Sequence, residues 1–328
     1  MFRKVLLVLV LGIATLAAVG FVQRTNGLKV AAPVHGQDVG GKIAYARAGA
    51  LWIYSGGSAQ QLTKGPQDRQ DKRDTSPSFS PDGTEIVYAR TDEGFSDLYK
   101  LSLNNPAKTL ALTSYRPDVQ TGAQGYNKQA LWALQPAWSP DGSKIAYLND
   151  KGTEYPGLYL MTAEGDNPHR IDFLDHSTQA VERPAWSPDG TKIAVANYVT
   201  NGAKGQIWVL NLDTGRWTAV TNAPDGAYDP AWSPDGEWLA FTMRSGKAND
   251  IYVAPTDATK WTTEYPTPSQ LTTDGNSRSP AWSPDGKRLA FIGLQDNSFN
   301  LYAASVGQGT GGAPTLSSIQ RLIQGGNL

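Results

Sequence analysis

The chain has no cysteine, which excludes structural disulfides, thiolate metal sites, a cysteine nucleophile and a lipidated cysteine as a membrane tether. Histidine is nearly missing as well. His35, His169 and His176 are the whole supply, and their scatter argues against a histidine-built zinc site. No metal and no cofactor is expected. Charged residues make up 18% of the chain and carry no basic excess. Residues 1–27 hold three bases, Arg3, Lys4 and Arg24, and no acid, so the remainder carries 26 bases against 30 acids. A domain of that sign lacks the basic face of a nucleic-acid binder. There is no Gly-x-Ser-x-Gly elbow and no room for a hydrolase domain, and the Gly-rich piece from Gly307 to Gly312 lacks the strand-to-helix setting of a phosphate loop.

One long apolar run breaks this pattern. Phe2-Arg3-Lys4 precede an uncharged, mostly apolar stretch from Val5 to Val22, and Gln23-Arg24 follow it. The stretch lies between the roughly 7 to 15 residues of a signal-peptide core and the roughly 20 of a spanning helix. Two readings stay open: an uncleaved hydrophobic helix anchored in the membrane through residues 5–22, or a cleaved signal peptide. Both export the rest of the chain, to the outer face of the cytoplasmic membrane, the periplasm or the extracellular space. The expected organisation is 1–27 as signal or anchor, 28–40 as linker, and 41–328 as one folded domain.

What is abundant is turn and aromatic residues, with 34 Gly, 21 Pro, 10 Trp and 14 Tyr, a composition suited to short strands and tight turns. The stretch Pro136-Ala137-Trp138-Ser139-Pro140-Asp141-Gly142 recurs as Pro184 to Gly190, Pro230 to Gly236 and Pro280 to Gly286, and with Ser78 and Phe79 as Pro77 to Gly83. An apolar alternating run follows each copy, as in Lys144-Ile145-Ala146-Tyr147. Aromatic segments such as Asp97-Leu98-Tyr99 and closing segments such as Gln270-Leu271-Thr272 recur in step with it. Residues 41–328 thus divide into six units of about 48 residues, near the period of four-stranded propeller blades. The fold class is all-β, a six-bladed β-propeller of four-stranded blades preceded by an N-terminal hydrophobic helix. Blade 1 has no Pro-x-Trp strand, and part of Leu28 to Val34 is expected to supply its inner strand, the alternative being a three-stranded first blade.

The motif units resemble the WD40-like (PD40) repeat of TolB-type β-propellers, over almost all of residues 41–328. The resemblance implies an exported, non-enzymatic binding platform; similar propellers also serve as accessory domains of serine peptidases. The chain leaves no room for the N-terminal α/β domain of TolB itself.

Within the repeats, Phe79, Trp138, Trp186, Trp232 and Trp282 are expected to pack between blades. Asp82, Asp141, Asp189, Asp235 and Asp285 read as structural turn residues, since a six-fold ring holds them too far apart to share a cation. Residues just before the motif strands, Asp74, Gln135, Glu182, Arg183, Asp229 and Arg278, are expected at the rim of the axial funnel. The two longest connections between blades, 64–76 and 114–135, place Arg69, Arg73, Tyr115, Arg116, Tyr126 and Trp132 on one face as a partner-binding edge. The expected function is a non-catalytic scaffold for a protein or peptide partner or a ligand at the cell envelope. The alternative is a propeller glycoside or peptide hydrolase or lyase, with a carboxylate site built from Asp74, Glu182 and Asp229.

Overall fold

Runs such as Ile145-Ala146-Tyr147-Leu148 alternate large and small side chains with the two-residue period of a strand, so each strand offers a different face to each neighbour. In the computed structural model, which describes residues 20–22, 41–65, 72–92, 94–117, 130–152, 155–172, 180–198, 204–295 and 297–324, these runs are the second strands of six four-stranded antiparallel sheets. Blade 1 contains β1 (Gly20–Val22), β2 (Lys42–Arg47), β3 (Ala50–Ser55) and β4 (Ser58–Gln61). Blade 2 contains β5 (Arg73–Phe79), β6 (Glu85–Asp92), β7 (Phe95–Ser102) and β8 (Asn105–Ala111). Blade 3 is β9 (Ala133–Trp138), β10 (Lys144–Asn149), β11 (Gly157–Thr162) and β12 (His169–Ile171); blade 4 is β13 (Ala180–Trp186), β14 (Lys192–Tyr198), β15 (Gly205–Asn211) and β16 (Trp217–Ala219). Blade 5 follows with β17 (Ala227–Trp232), β18 (Trp238–Ser245), β19 (Ala248–Pro255) and β20 (Ser269–Gln270), and blade 6 with β21 (Ser277–Trp282), β22 (Arg288–Gln295), β23 (Ser298–Gln308) and β24 (Pro314–Ile323). The molecule is a six-bladed β-propeller.

Blade 1 is completed at its inner edge by β1. The edge of β2 pairs with Gly20–Val22, in the register Gly20↔Ala44, Phe21↔Ile43 and Val22↔Lys42. The inner position of blade 1 is therefore filled by the last three residues of the hydrophobic run, while Leu28 to Val34 lies outside the described residues. Residues 5–19 of that run are likewise outside them, and no helix among the described residues is long and apolar enough to cross a membrane.

Apolar clusters fill the contacts between blades. Ile145 and Tyr147 pack with Val87 and Leu98 of blade 2, while Ala146 and Leu148 of the same strand pack with Val181 and Ile193 of blade 4. The ring closes by the same kind of packing: Ile43, Tyr45 and Tyr54 of blade 1 meet Ile292, Leu301, Leu322 and Ile323 of blade 6. The motif tryptophans add a polar tie. The indole N–H groups of Trp186, Trp232 and Trp282 donate to the carbonyls of Ala137, Ala185 and Ala231, each on the inner strand of the preceding blade, at 3.1, 3.1 and 3.3 Å. Trp138 faces blade 2, where Ser78 and Phe79 replace Ala and Trp, and its indole N–H has no partner among the described residues.

Each Ser-Pro-Asp-Gly segment closes the first hairpin of its blade. The Ser139 hydroxyl donates to Asp141 Oδ1 at 2.6 Å, the same oxygen accepts the Ser143 N–H at 3.0 Å, and Gly142 takes φ +73°. The bonds from Ser139 and Ser143 together hold the Asp141 carboxyl down at about 2, the Ser139 hydroxyl being the largest cause. The five turn aspartates, Asp82, Asp141, Asp189, Asp235 and Asp285, all accept from the serine two residues before them.

Candidate functional site: the axial cavity

A proline in an inner strand has no N–H for the ladder, so such a strand must bulge at that point. Four of the five motif strands lose register beside their proline, between Thr75 and Ser78, Glu182 and Ala185, Tyr228 and Ala231, and Arg278 and Ala281; in the fifth the shift falls on the facing strand, between Ala146 and Leu148. The residue directly before each proline takes a left-handed conformation: Ser76 (φ 53°), Gln135 (φ 49°), Arg183 (φ 50°), Asp229 (φ 56°) and Ser279 (φ 53°). Such angles are uncommon outside glycine, and positions that hold them in several copies around one axis mark a place where backbone strain is maintained.

These five residues form a polar ring in an axial cavity of about 340 Å³. The cavity walls are the prolines and aromatics of the same motifs, from Pro77 and Phe79 round to Pro280 and Trp282, and Pro140 and Pro188 carry it to the Ser-Pro-Asp-Gly turns. Its interior is thus apolar along the sides and polar at the ring.

The ring is tied across four blades. Gln135 Oε1 of blade 3 accepts the Arg183 N–H at 2.6 Å. Arg183 Nε of blade 4 pairs with Asp229 Oδ1 of blade 5 at 2.7 Å. Asp229 Oδ2 accepts the Thr242 hydroxyl at 3.0 Å and the Ser279 hydroxyl of blade 6 at 3.1 Å. Gln135 is only 4% exposed, and its Nε2 has no partner among the described residues.

Of the six residues expected at the funnel rim, Gln135, Arg183 and Asp229 line the cavity, and Asp74, Glu182 and Arg278 do not. Asp74, 1% exposed, is held by Arg90 through Nε at 2.6 Å and Nη2 at 2.9 Å. Glu182 is buried and accepts the Tyr198 hydroxyl at 2.8 Å; burial raises its carboxyl above the ordinary range, against the opposing effect of that bond and of Arg183. Arg278 lies over the Phe299 ring, 4.0 Å from its centroid, with Nε and Nη2 unpartnered among the described residues. Burial lowers its pKa, against the attraction of Asp229. The usable signal in the sequence is narrower than proximity to the motif: the position immediately before each proline also finds Ser76 and Ser279, which proximity and charge leave out.

The loop residues are placed differently. Tyr115 is half-buried, its hydroxyl 3.3 Å from that of Tyr147 and its N–H donating to Asp97 Oδ1 at 2.8 Å. Trp132 packs on the cluster between blades 3 and 4, and its N–H donates to Asp150 Oδ1 at 2.8 Å. Arg73 and Arg116 are exposed, and Arg69 and Tyr126 lie outside the described residues. Phe79, Trp138, Trp186, Trp232 and Trp282 both pack between blades and contribute to the cavity wall. Among the described residues no group of three or more His, Asp or Glu could hold a metal ion.

Comparison with known proteins agrees with this architecture. The TolB beta propeller domain profile matches residues 153–318. TolB from Acinetobacter baumannii superposes with a TM-score of 0.61 at 21% identity, over 82% of this chain and 62% of that one. A protein assigned as TolB from Agrobacterium tumefaciens gives 0.60 at 18% identity, over 83% and 87%. At these identities the likeness concerns the fold. An uncharacterized peptidase of Bacillus subtilis, YuxL, is 25% identical over 217 residues, which cover 55% of this chain and 32% of that relative. The chain therefore matches about a third of the curated relative's length.

Proposed function

We propose, from the premise that the chain belongs to the TolB beta propeller domain family, that it is an exported, non-catalytic binding propeller whose partner or ligand seats in the axial cavity. One observation carries the reading: among the described residues lining the cavity, Asp229 is the single carboxylate, and both its oxygens are engaged. A glycosidase needs two carboxyls roughly 5 to 9.5 Å apart across one pocket. Asp74 and Glu182, the other candidates, do not line the cavity; both are buried and are bonded to Arg90 and Tyr198. A cavity with apolar walls and a few convergent polar groups suits recognition. Export is supported by the basic residues Arg3 and Lys4 ahead of the apolar run.

The catalytic alternative keeps one support, the similarity to a protein named as a peptidase. The two separate by crosslinking. With a photoreactive phenylalanine analogue at Ser78, which lines the cavity, the full chain should give a discrete adduct in cells that the same analogue at Lys108, exposed on β8, does not give. Absence of any position-dependent adduct, together with turnover of a glycoside or peptide panel by the full chain, would reverse the order of the two readings.

A further inference from the structure

Among the described residues, the polar ring is bonded continuously along one side of the axis. From Gln135 through Arg183 and Asp229 to Ser279, each member is bonded to the next across a blade boundary. At the start of that chain Gln135 uses its amide oxygen only, leaving a buried N–H donor on a cavity-lining residue without an acceptor among the described residues. Burying a donor unpaired is costly, so an acceptor placed there by a ligand gains more than it would at a solvated site.

Charge points the same way. Two guanidinium groups, Arg183 and Arg278, lie close enough to Asp229 to feel its charge, and Asp229 gives its short contact to Arg183. Arg278 keeps two nitrogens unpartnered, and no carboxylate among the described residues pairs with it directly. Glu182 is the other acid beside Arg183 and Asp229, but burial biases its carboxyl toward the neutral form, and it is bonded to Tyr198. The ring therefore favours an incoming anion, while the proline and tryptophan walls favour an apolar body.

We propose, resting on the reading of this cavity as the binding site, that its ligand is a carboxylate carried on an apolar body, with the carboxylate at Gln135 Nε2, beside the cavity-lining Arg183, and the body against the motif prolines and aromatics. A small free acid and the C-terminal residue of a peptide share that chemistry. Both fit a pocket at the lower end of the roughly 300 to 1,000 Å³ usual for small-molecule sites.

The test uses the full chain and four probes: 4-phenylbutanoate, 4-phenylbutan-1-ol, acetyl-Ala-Phe with a free carboxylate, and its C-terminal amide. At least one acid should raise the unfolding temperature and bind at least about tenfold tighter than its uncharged counterpart, as expected of a charge-assisted hydrogen bond. Which acid does so separates the two sources. Gln135→Glu keeps the oxygen that accepts the Arg183 N–H and replaces the donor with a repelling carboxylate, so the fold should persist by circular dichroism and affinity for the acid should fall at least tenfold. Equal binding of acid and uncharged probe, retained affinity in Gln135→Glu, or no response to any acid overturns the carboxylate assignment. A cavity-dependent crosslink at position 78 alongside any of these results leaves the binding role standing and removes the ligand class alone.

Discussion

At the scale of single residues, conformation decides which side chains reach the axis. Glu182 and Arg183 are neighbours in sequence and both precede Pro184, yet Arg183 lines the cavity while Glu182 is buried away from it. Arg183 takes a left-handed angle there, and no residue type announces it, because arginine does not favour that region. Burial gives Glu182 a measurable property. Burial holds its carboxyl above the ordinary value of 4.5, so the folded protein binds this proton more tightly than the unfolded chain does. Stability from this group is therefore full below 4.5 and is lost as pH climbs through the raised value. Glu182→Gln, which can still accept from Tyr198, lacks that loss. Its urea midpoint relative to the parent should rise as pH increases across this window and level off above it. A difference independent of pH would show that the carboxyl titrates as an exposed one.

At the scale of elements, repetition makes most of the blade legible in the sequence. The Ser-Pro-Asp-Gly turn, the small-large alternation of Ile145-Ala146-Tyr147 and the inter-blade tryptophan depend on local spacing that recurs with the period of the ring. Each appears in the structure where that spacing puts it, and the turn aspartates are bonded within their own hairpins. Spacing does not reveal β1, because Gly20–Val22 carries no motif, and its pairing with β2 is a matter of backbone register. Nor does it reveal that the motif strands form the cavity wall while Trp132, in the long connection, packs back on the ring. The tryptophans are also not equivalent. Trp232 donates its indole N–H to Ala185, whereas the indole N–H of Trp138 has no partner among the described residues. Trp232→Phe loses a hydrogen bond as well as part of a ring, and should cost about 1 kcal/mol more than the packing change alone. Trp138→Phe should lack that increment. Urea unfolding of the two variants measures the gap, and equal losses would mean the indole bonds contribute nothing net to blade contacts.

At the scale of the whole molecule, a ring is only as stable as its seam, because closure is what removes exposed blade faces. No strand is exchanged across the seam among the described residues: blade 6 takes all four strands from the end of the chain, and blade 1 adds β1 to its inner edge. The seam is instead held by side chains. Leu322 and Ile323 of β24, with Leu301 of β23, pack against Ile43, Tyr45 and Tyr54 of blade 1. β1 contributes three paired residues, and it lies beside β5 and β21, the inner strands of blades 2 and 6. Two truncations separate these contributions. Removing residues 1–40 takes away β1 and leaves the apolar seam, so unfolding should stay cooperative with a lowered midpoint. Removing residues 314–328 takes away Leu322 and Ile323 together with the pairing of a ten-residue strand, and leaves Leu301 and Tyr54 without their cover. Burial of a Leu or Ile side chain is worth roughly 1.5 to 3 kcal/mol, so losing two from one interface removes a large part of what a domain of marginal stability has to spare. That truncation should broaden or split the thermal transition as blades 1 and 6 open first. If instead it is removal of residues 1–40 that abolishes cooperative unfolding, the seam depends on backbone pairing at the axis and the apolar contact at the rim is secondary.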